Sequence, residues 1–341
     1  LLLAVQPAAS DWRFAAFMAA IVVSMTGGYL LRRAGRVRPE HARGVMSAAI
    51  IACDAPIAWL AIWHLVIDPQ VWKVPVAGAA VGVAVCLLGL VIARLVRMRP
   101  QEAAVFAMQG GMGNVGYTMG GAICLALWGI QGLALEQMFV LMWPFFAFLF
   151  CFPIGRHYGE AAAGARDAGS LPLYALRTLV RSLTDIRSLP LYMATLGLAL
   201  NLAGTTPPQA IRRWHIIDVL MLAGMALSFG GVGMTVHARR LPAWWKTAVG
   251  SAALKFIASP LLMLAAAWAM GLGGMPLAVC LILAAMPTAL YSVLMANLFG
   301  LNRDLANTTF LLTHIVCLAA IAAAALLVRA GLPLETWMPG G

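Results

Sequence analysis

The chain has 341 residues, 62% of them hydrophobic and only 10% charged, and its net charge is +11. A soluble domain carries roughly 25% charged residues, so this chain cannot cover a water-facing surface and has no soluble domain. The positive balance does not indicate a nucleic-acid partner, because the basic residues fall mostly in short loops between apolar runs, where membrane topology puts them.

In chain order, apolar runs bounded by Arg, Pro and Gly predict five spans over 13–33, 46–66, 75–96, 104–126 and 137–155. A polar stretch at 156–187 follows, with Arg156, Glu160, Arg166, Asp167 and Asp185. Five more spans are expected at 189–204, 215–236, 246–269, 276–299 and 306–328. The organisation is therefore a first unit 1–155, a cytosolic linker 156–187 and a second unit 188–341. Within the linker, Leu176, Leu179, Val180 and Leu183 share one helical face, and Arg177 and Arg181 another. That pattern fits a short amphipathic helix on the inner membrane surface, or a cytosolic extension of the sixth span. No cleavable signal peptide is evident, and the opening Leu1-Leu2-Leu3 places the expected natural start upstream.

Basic residues set the orientation. With the N-terminus outside, the inner loops collect Arg32, Arg33, Arg36, Arg38 and Arg43, then Arg94, Arg97 and Arg99, then Arg156, Arg166, Arg177, Arg181 and Arg187 of the central stretch, and later Arg239, Arg240, Lys246 and Arg303. The outer side keeps Arg13, Lys73, Arg212, Arg213 and Arg329. Both termini are therefore expected outside a cell membrane. Trp12, Trp337 and the pair Trp244-Trp245 sit at span ends, where interfacial indoles belong. Cys53, Cys86, Cys124, Cys151, Cys280 and Cys317 lie in apolar runs without C-x-x-C spacing, so they read as buried packers, with no metal or cofactor expected.

An odd number of spans in each half makes the second half cross in the opposite sense, as in inverted-repeat transporters. The fourth and ninth spans support this, because the stretch Gly110 to Tyr117 lines up with Ala284 to Tyr291. Further on, Trp128-Gly129 echoes Phe299-Gly300 with a slip. Both spans are poor helices: one is crowded with glycine, each costing roughly 1 kcal/mol against Ala, and the other holds Pro287. Broken backbone at membrane depth needs protein or a water-filled cavity around it. The expected fold is all-α, ten transmembrane helices in two inverted five-helix repeats with broken, crossing helices four and nine. Two half-helix N-termini converging at mid-membrane favour an anion such as a carboxylate. The candidate substrate-binding residues are Asn114, Gly116, Tyr117, Thr118, Pro287, Thr288, Tyr291 and Ser292, together with Lys255.

Charges within spans are costly, which marks them as candidates for function. Lys255 is expected to attract the anion, and Asp54 to couple protons or to pair with Lys255. His64, His314, Gln109, Gln137, Asn201 and Asn297 read first as packing or hydrogen-bonding residues.

The segments Leu254-Lys255-Phe256-Ile257-Ala258-Ser259-Pro260, Ala284-Ala285-Met286-Pro287-Thr288-Ala289 and Ala296-Asn297-Leu298-Phe299-Gly300 resemble those of the auxin efflux carrier family of permeases. Gly27-Gly28-Tyr29-Leu30-Leu31-Arg32-Arg33 and the Gly113-Asn114-x-Gly116 turn fit as well. The resemblance spans most of the chain and implies ten helices, crossed broken helices and auxin-like or dicarboxylic substrates. One departure is that family members often carry Pro in the fourth-helix break, where this chain has only glycines. The abundance of Ala and the excess of Arg over Lys point to a bacterial member.

An enzyme is the weaker alternative, since neither H-E-x-x-H nor G-x-S-x-G is present. A sodium-coupled symporter of the bile-acid carrier type is the nearer one, and the absence of acidic residues from the crossover argues against it. A scaffold or receptor with this fold, and a homodimeric assembly, stay open.

Overall fold

The computed structural model describes residues 7–162, 171–235 and 243–329. Arg166, Asp167, Arg239, Arg240 and Trp337 lie outside them. The described residues are helical, apart from loops and one isolated antiparallel bridge between Gly113 and Thr288. The helices are α1 Pro7–Arg33, α2 His41–Trp63, α3 Lys73–Leu95, α4 Pro100–Gly111, α5 Gly120–Val140, α6 over 143–162 and α7 Leu171–Leu183. Then come α8 Leu189–Leu202, α9 Gln209–Arg213, α10 Ile216–Thr235, α11 Trp245–Met270, α12 Gly274–Ala284, α13 Leu290–Leu298 and α14 Arg303–Arg329.

Seven of the described helical runs are long and apolar enough to cross a membrane, with α5 and α6 forming a single run of 43 residues. A straight helix of that length would measure about 65 Å, twice the hydrocarbon thickness. Gly129 prevents this: at φ 62° and ψ −150° it adopts a conformation open only to glycine, and it folds 120–128 back along 130–140. Gly121 then packs against Leu133 and Glu136, and Gly132 against the carbonyl of Cys124. The return segment thus starts at 130 rather than 137, and Glu136 moves from an expected loop into the packed interior. Gly300, at φ 63°, makes the corresponding turn after α13.

Among the described residues three π turns interrupt the helices, at Ile50–Asp54, Phe146–Cys151 and Leu254–Ala258. Each stands just before a proline, Pro56, Pro153 or Pro260. A helical proline lacks an N–H and clashes with the carbonyl one turn back, and a wider turn relieves both defects. Two of these widened turns carry the intramembrane charges Asp54 and Lys255.

Packing divides the helices into two groups. α1, α2, α8 and α10 pack on one another, and α3, α4, α6, α11, α12, α13 and α14 form the rest, with α5 touching both. The amide nitrogen of Asn201 on α8 donates to the carbonyls of Ile62, Trp63 and Leu65, closing the C-terminus of α2. α7 is a helix of its own, separated from α8 by the turn Ile186–Ser188. It buries Ala175 and Leu179 and leaves Leu176 and Val180 exposed.

α1 and α10 are also tied by a bidentate pair. Arg13 donates through Nε to Asp218 Oδ1 at 2.8 Å and through Nη2 to Oδ2 at 3.1 Å, and His215 lies 3.2 Å from Oδ2. Asp218 is buried and Arg13 partly exposed. Asp218→Asn should therefore cost about 1–3 kcal/mol of stability, discounted from a fully buried pair for solvent screening. The thermal midpoint of detergent-purified protein reads it out, and an unchanged midpoint would show that the pair contributes nothing.

Candidate functional site

The site is built where two helices are interrupted. α4 stops at Gly111 and α5 restarts at Gly120, while α12 stops at Ala284 and α13 restarts at Leu290. Met112 and Ala289 are extended, so the two interruptions can pair as strands do. The N–H of Asn114 donates to the carbonyl of Pro287 at 2.6 Å, and that of Ala289 to the carbonyl of Met112 at 2.8 Å. Pro287 itself has no N–H to offer, which suits it to the accepting position. The N–H of Thr288 donates to Thr313 Oγ1 at 3.2 Å, and the two hydroxyls are 3.0 Å apart. The Ser292 hydroxyl donates to the carbonyl of Ala289 at 2.6 Å and accepts from Gln109 at 3.4 Å. Pro287, Thr288 and Ser292 thus tie the crossing together.

Lys255 lies on one side of this crossing. It is only 2% exposed, and its Nζ rests against Gly113, where an added Cβ would approach to 2.7 Å. Gly111, Gly113, Val115 and Ser259 line the same cavity as Lys255. Among the described residues no carboxylate pairs with Lys255, so the expected ion pair with Asp54 does not form.

Asn114 and Thr118 define the other side, because successive residues of an extended segment point opposite ways. The Thr118 hydroxyl donates to Asn114 Oδ1 at 2.8 Å. Asn114 Nδ2 lies 3.2 Å from His314 Nε2, and His314 Nδ1 lies 2.7 Å from the carbonyl of Phe310. Since a carbonyl can only accept, Nδ1 carries the proton and Nε2 accepts from Asn114. One Asn114 N–H is left over. Asn114, Gly116 and Thr118 are half-exposed, and a side chain added at Gly116 would meet open space. No protein acceptor engages the N–H groups of Gly116, Tyr117 or Thr118 among the described residues. They precede the first turn of α5, where donors and helix dipole favour negative charge.

Tyr117 turns away from this opening and is buried, its hydroxyl 2.8 Å from that of Ser228 on α10. Asp54 on α2 is half-buried and near enough to Tyr117 to interact electrostatically. Tyr291 stands apart, half-buried among aromatic rings, with Trp143 edge-on at 4.8 Å. Asn297 is exposed and donates to the carbonyl of Val293 within its own helix.

Sequence reasoning missed Glu136. Its side chain is fully buried beside Gly121, where an added Cβ would come within 2.6 Å of Oε2, and it lies within electrostatic reach of Asp54. The expectation of no acidic residue near the crossover is thereby corrected. Its signal was Gly129 itself, which read as a turn puts Glu136 two helical turns into the next segment. Ser228 and Thr313 were missed too, since only the fold brings them to Tyr117 and Thr288.

The family model described as "Membrane transport protein" matches residues 178–324, which include Lys255 and the second interruption. A protein of Rhizobium meliloti (strain 1021) named "Putative malonate transporter" is 25% identical over 315 residues, covering 89% of this chain and 92% of the relative. The auxin efflux carrier component 3a of Oryza sativa subsp. japonica is 27% identical over 178 residues, 48% of this chain. These matches fit a permease of the auxin efflux carrier kind. This carrier is accordingly a multi-pass membrane permease and not an enzyme. The match to the rice protein covers 28% of that protein's length.

Proposed function

We propose that this permease moves a small organic anion, a dicarboxylate of malonate type, by alternating access about the crossing of the two interrupted helices. The observation that carries the reading is Lys255, a buried cation without a carboxylate partner among the described residues, seated against Gly113 in the first interruption. Leaving a charge buried and unpaired is costly, and a transient anionic ligand is the economical reason to keep one. The free N–H groups of Gly116, Tyr117 and Thr118 and the spare Asn114 donor would receive carboxylate oxygens from the opposite side. The name of the Rhizobium relative agrees with this class of substrate.

The architecture we infer is ten spans in two inverted repeats, with both termini outside the cell membrane. α8 and the two interrupted pairs would complete the seven long runs. Support comes from a constant displacement. The interval from Gly113 to Pro287 also carries α2 onto α10, α3 onto α11 and α4 onto α12, with ends agreeing to a few residues. The same shift maps the Gly113–Thr288 bridge onto the pair Pro287 and Asn114, which lies in the same antiparallel register. The two groups of helices, meeting at Tyr117, Ser228 and α5, are the natural bodies to move against one another. We further infer that α7, with Leu176 and Val180 outward beside Arg177 and Arg181, lies on the inner membrane surface.

Thermal stabilisation of detergent-purified protein tests the reading, with malonate and other small carboxylates, with and without sodium. A ligand at a hundredfold excess over its Kd adds about 2.7 kcal/mol of stability. A shift with dicarboxylates regardless of sodium is expected. A shift only with sodium would favour the bile-acid type of symporter, and no shift with any acid would overturn the anion reading.

A further inference from the structure

We propose that Glu136 is the proton-carrying residue of this permease, binding a proton that moves together with the substrate anion; this rests on the anion-carrier reading above. Glu136 is 0% exposed. Its Oε2 accepts from Gln137 Nε2 at 3.0 Å and abuts Gly121 in the first turns of α5, while its Oε1 is buried with no hydrogen-bond partner. An ionised carboxylate held this way, with one neutral donor and no cation, is far costlier than the neutral acid. This arrangement thus suits a carboxylic acid whose proton sits on Oε1, the oxygen that accepts nothing.

Its neighbours do not offer the compensation that a permanent charge would need. Asp54 of α2 is a second acid on the same side. Cys124 lies on the same hairpin, with Cys280 of α12 beyond it. α1 and α3 also pack against α5, and neither presents a charged group to Glu136 among the described residues.

Location makes the residue useful. Glu136 braces the half-helix whose N-terminal N–H groups face the proposed substrate, and α5 packs against both helix groups. Movement of one group past the other would bring water to Glu136 by way of the half-exposed Asp54. The proton then leaves Oε1 for that water, the carboxylate remains until the next proton arrives, and the bond made and broken is O–H alone. Carrying a proton with an anion also lessens the net charge moved across the membrane potential.

The full-length protein in liposomes loaded with a pH-sensitive dye, with the membrane potential clamped, tests the proposal. In the wild type, an inward malonate gradient should acidify the lumen. Glu136→Gln should retain malonate counterflow within about twofold and lose that acidification. Glu136→Asp, one carbon shorter and still titratable, should keep it, and serves if the glutamine variant does not fold. Acidification by Glu136→Gln equal to that of the wild type, or wild-type malonate uptake without acidification, overturns the proposal while leaving the carrier reading intact. Absence of malonate counterflow in the wild type overturns both.

Discussion

Lys255→Met should weaken malonate binding about 10- to 100-fold while leaving the unliganded protein at least as stable as the wild type. Both halves follow from the same geometry. The Lys255 side chain is buried against Gly113 without an acidic partner among the described residues, so the folded protein bears an uncompensated desolvation cost. Methionine keeps the length and apolar stem of lysine and removes that cost. A hydrogen bond to a charged group is worth about 1.5–3 kcal/mol, which converts to the affinity loss stated. Paired measurements of malonate affinity and of the apo thermal midpoint separate the two effects. Unchanged affinity would dismiss Lys255 from the site, and a collapsed apo midpoint would make it a structural residue instead.

The second large effect concerns two adjacent glycines of α1. Gly28→Leu should abolish or sharply reduce the yield of folded protein, whereas Gly27→Leu should be tolerated. A Cβ on Gly28 would run into the backbone carbonyl of Gly230 on α10, which no rotamer change can relieve. A Cβ on Gly27 would meet nothing within 4 Å. Small residues at such a crossing let two membrane helices approach at backbone distance. Inserting carbon into a close contact costs about 1–3 kcal/mol or more, while helix propensity favours leucine at both positions by roughly 0.8 kcal/mol. Monodispersity by size-exclusion chromatography in detergent reads the difference. Equal behaviour of the two variants would mean that the α1–α10 contact is not a close one.

Much of this protein is legible without coordinates, and the reason is the bilayer. Long uncharged stretches have few alternatives to helix where water cannot satisfy the backbone. Runs such as α3 and α10 therefore lie close to the boundaries read from composition. The interruptions around Gly113 and Pro287 were legible for a related reason, since glycine clusters and proline are the residues a continuous helix tolerates least. The family resemblance was carried by the same weak points and by the segment around Lys255, and the family match confirms it.

What could not be read is who meets whom. Asn114 and Lys255 were both counted toward one site, yet the extended backbone at Met112 sends them to opposite sides of the crossing, since alternation depends on φ and ψ. Thr288 and Ser292 are equally polar in the chain, but their hydroxyls are engaged by Thr313 and Ala289. Glu136 shows the largest gap. An apolar run has no mark for its depth, and the single torsion of Gly129 decides whether the residues after it are loop or buried helix. Helices, breaks and family are written in local composition because solvent and backbone chemistry act locally. The pairing of Asn114 with His314, the solitude of Lys255 and the burial of Glu136 arise between segments far apart in the chain, and packing alone decides them.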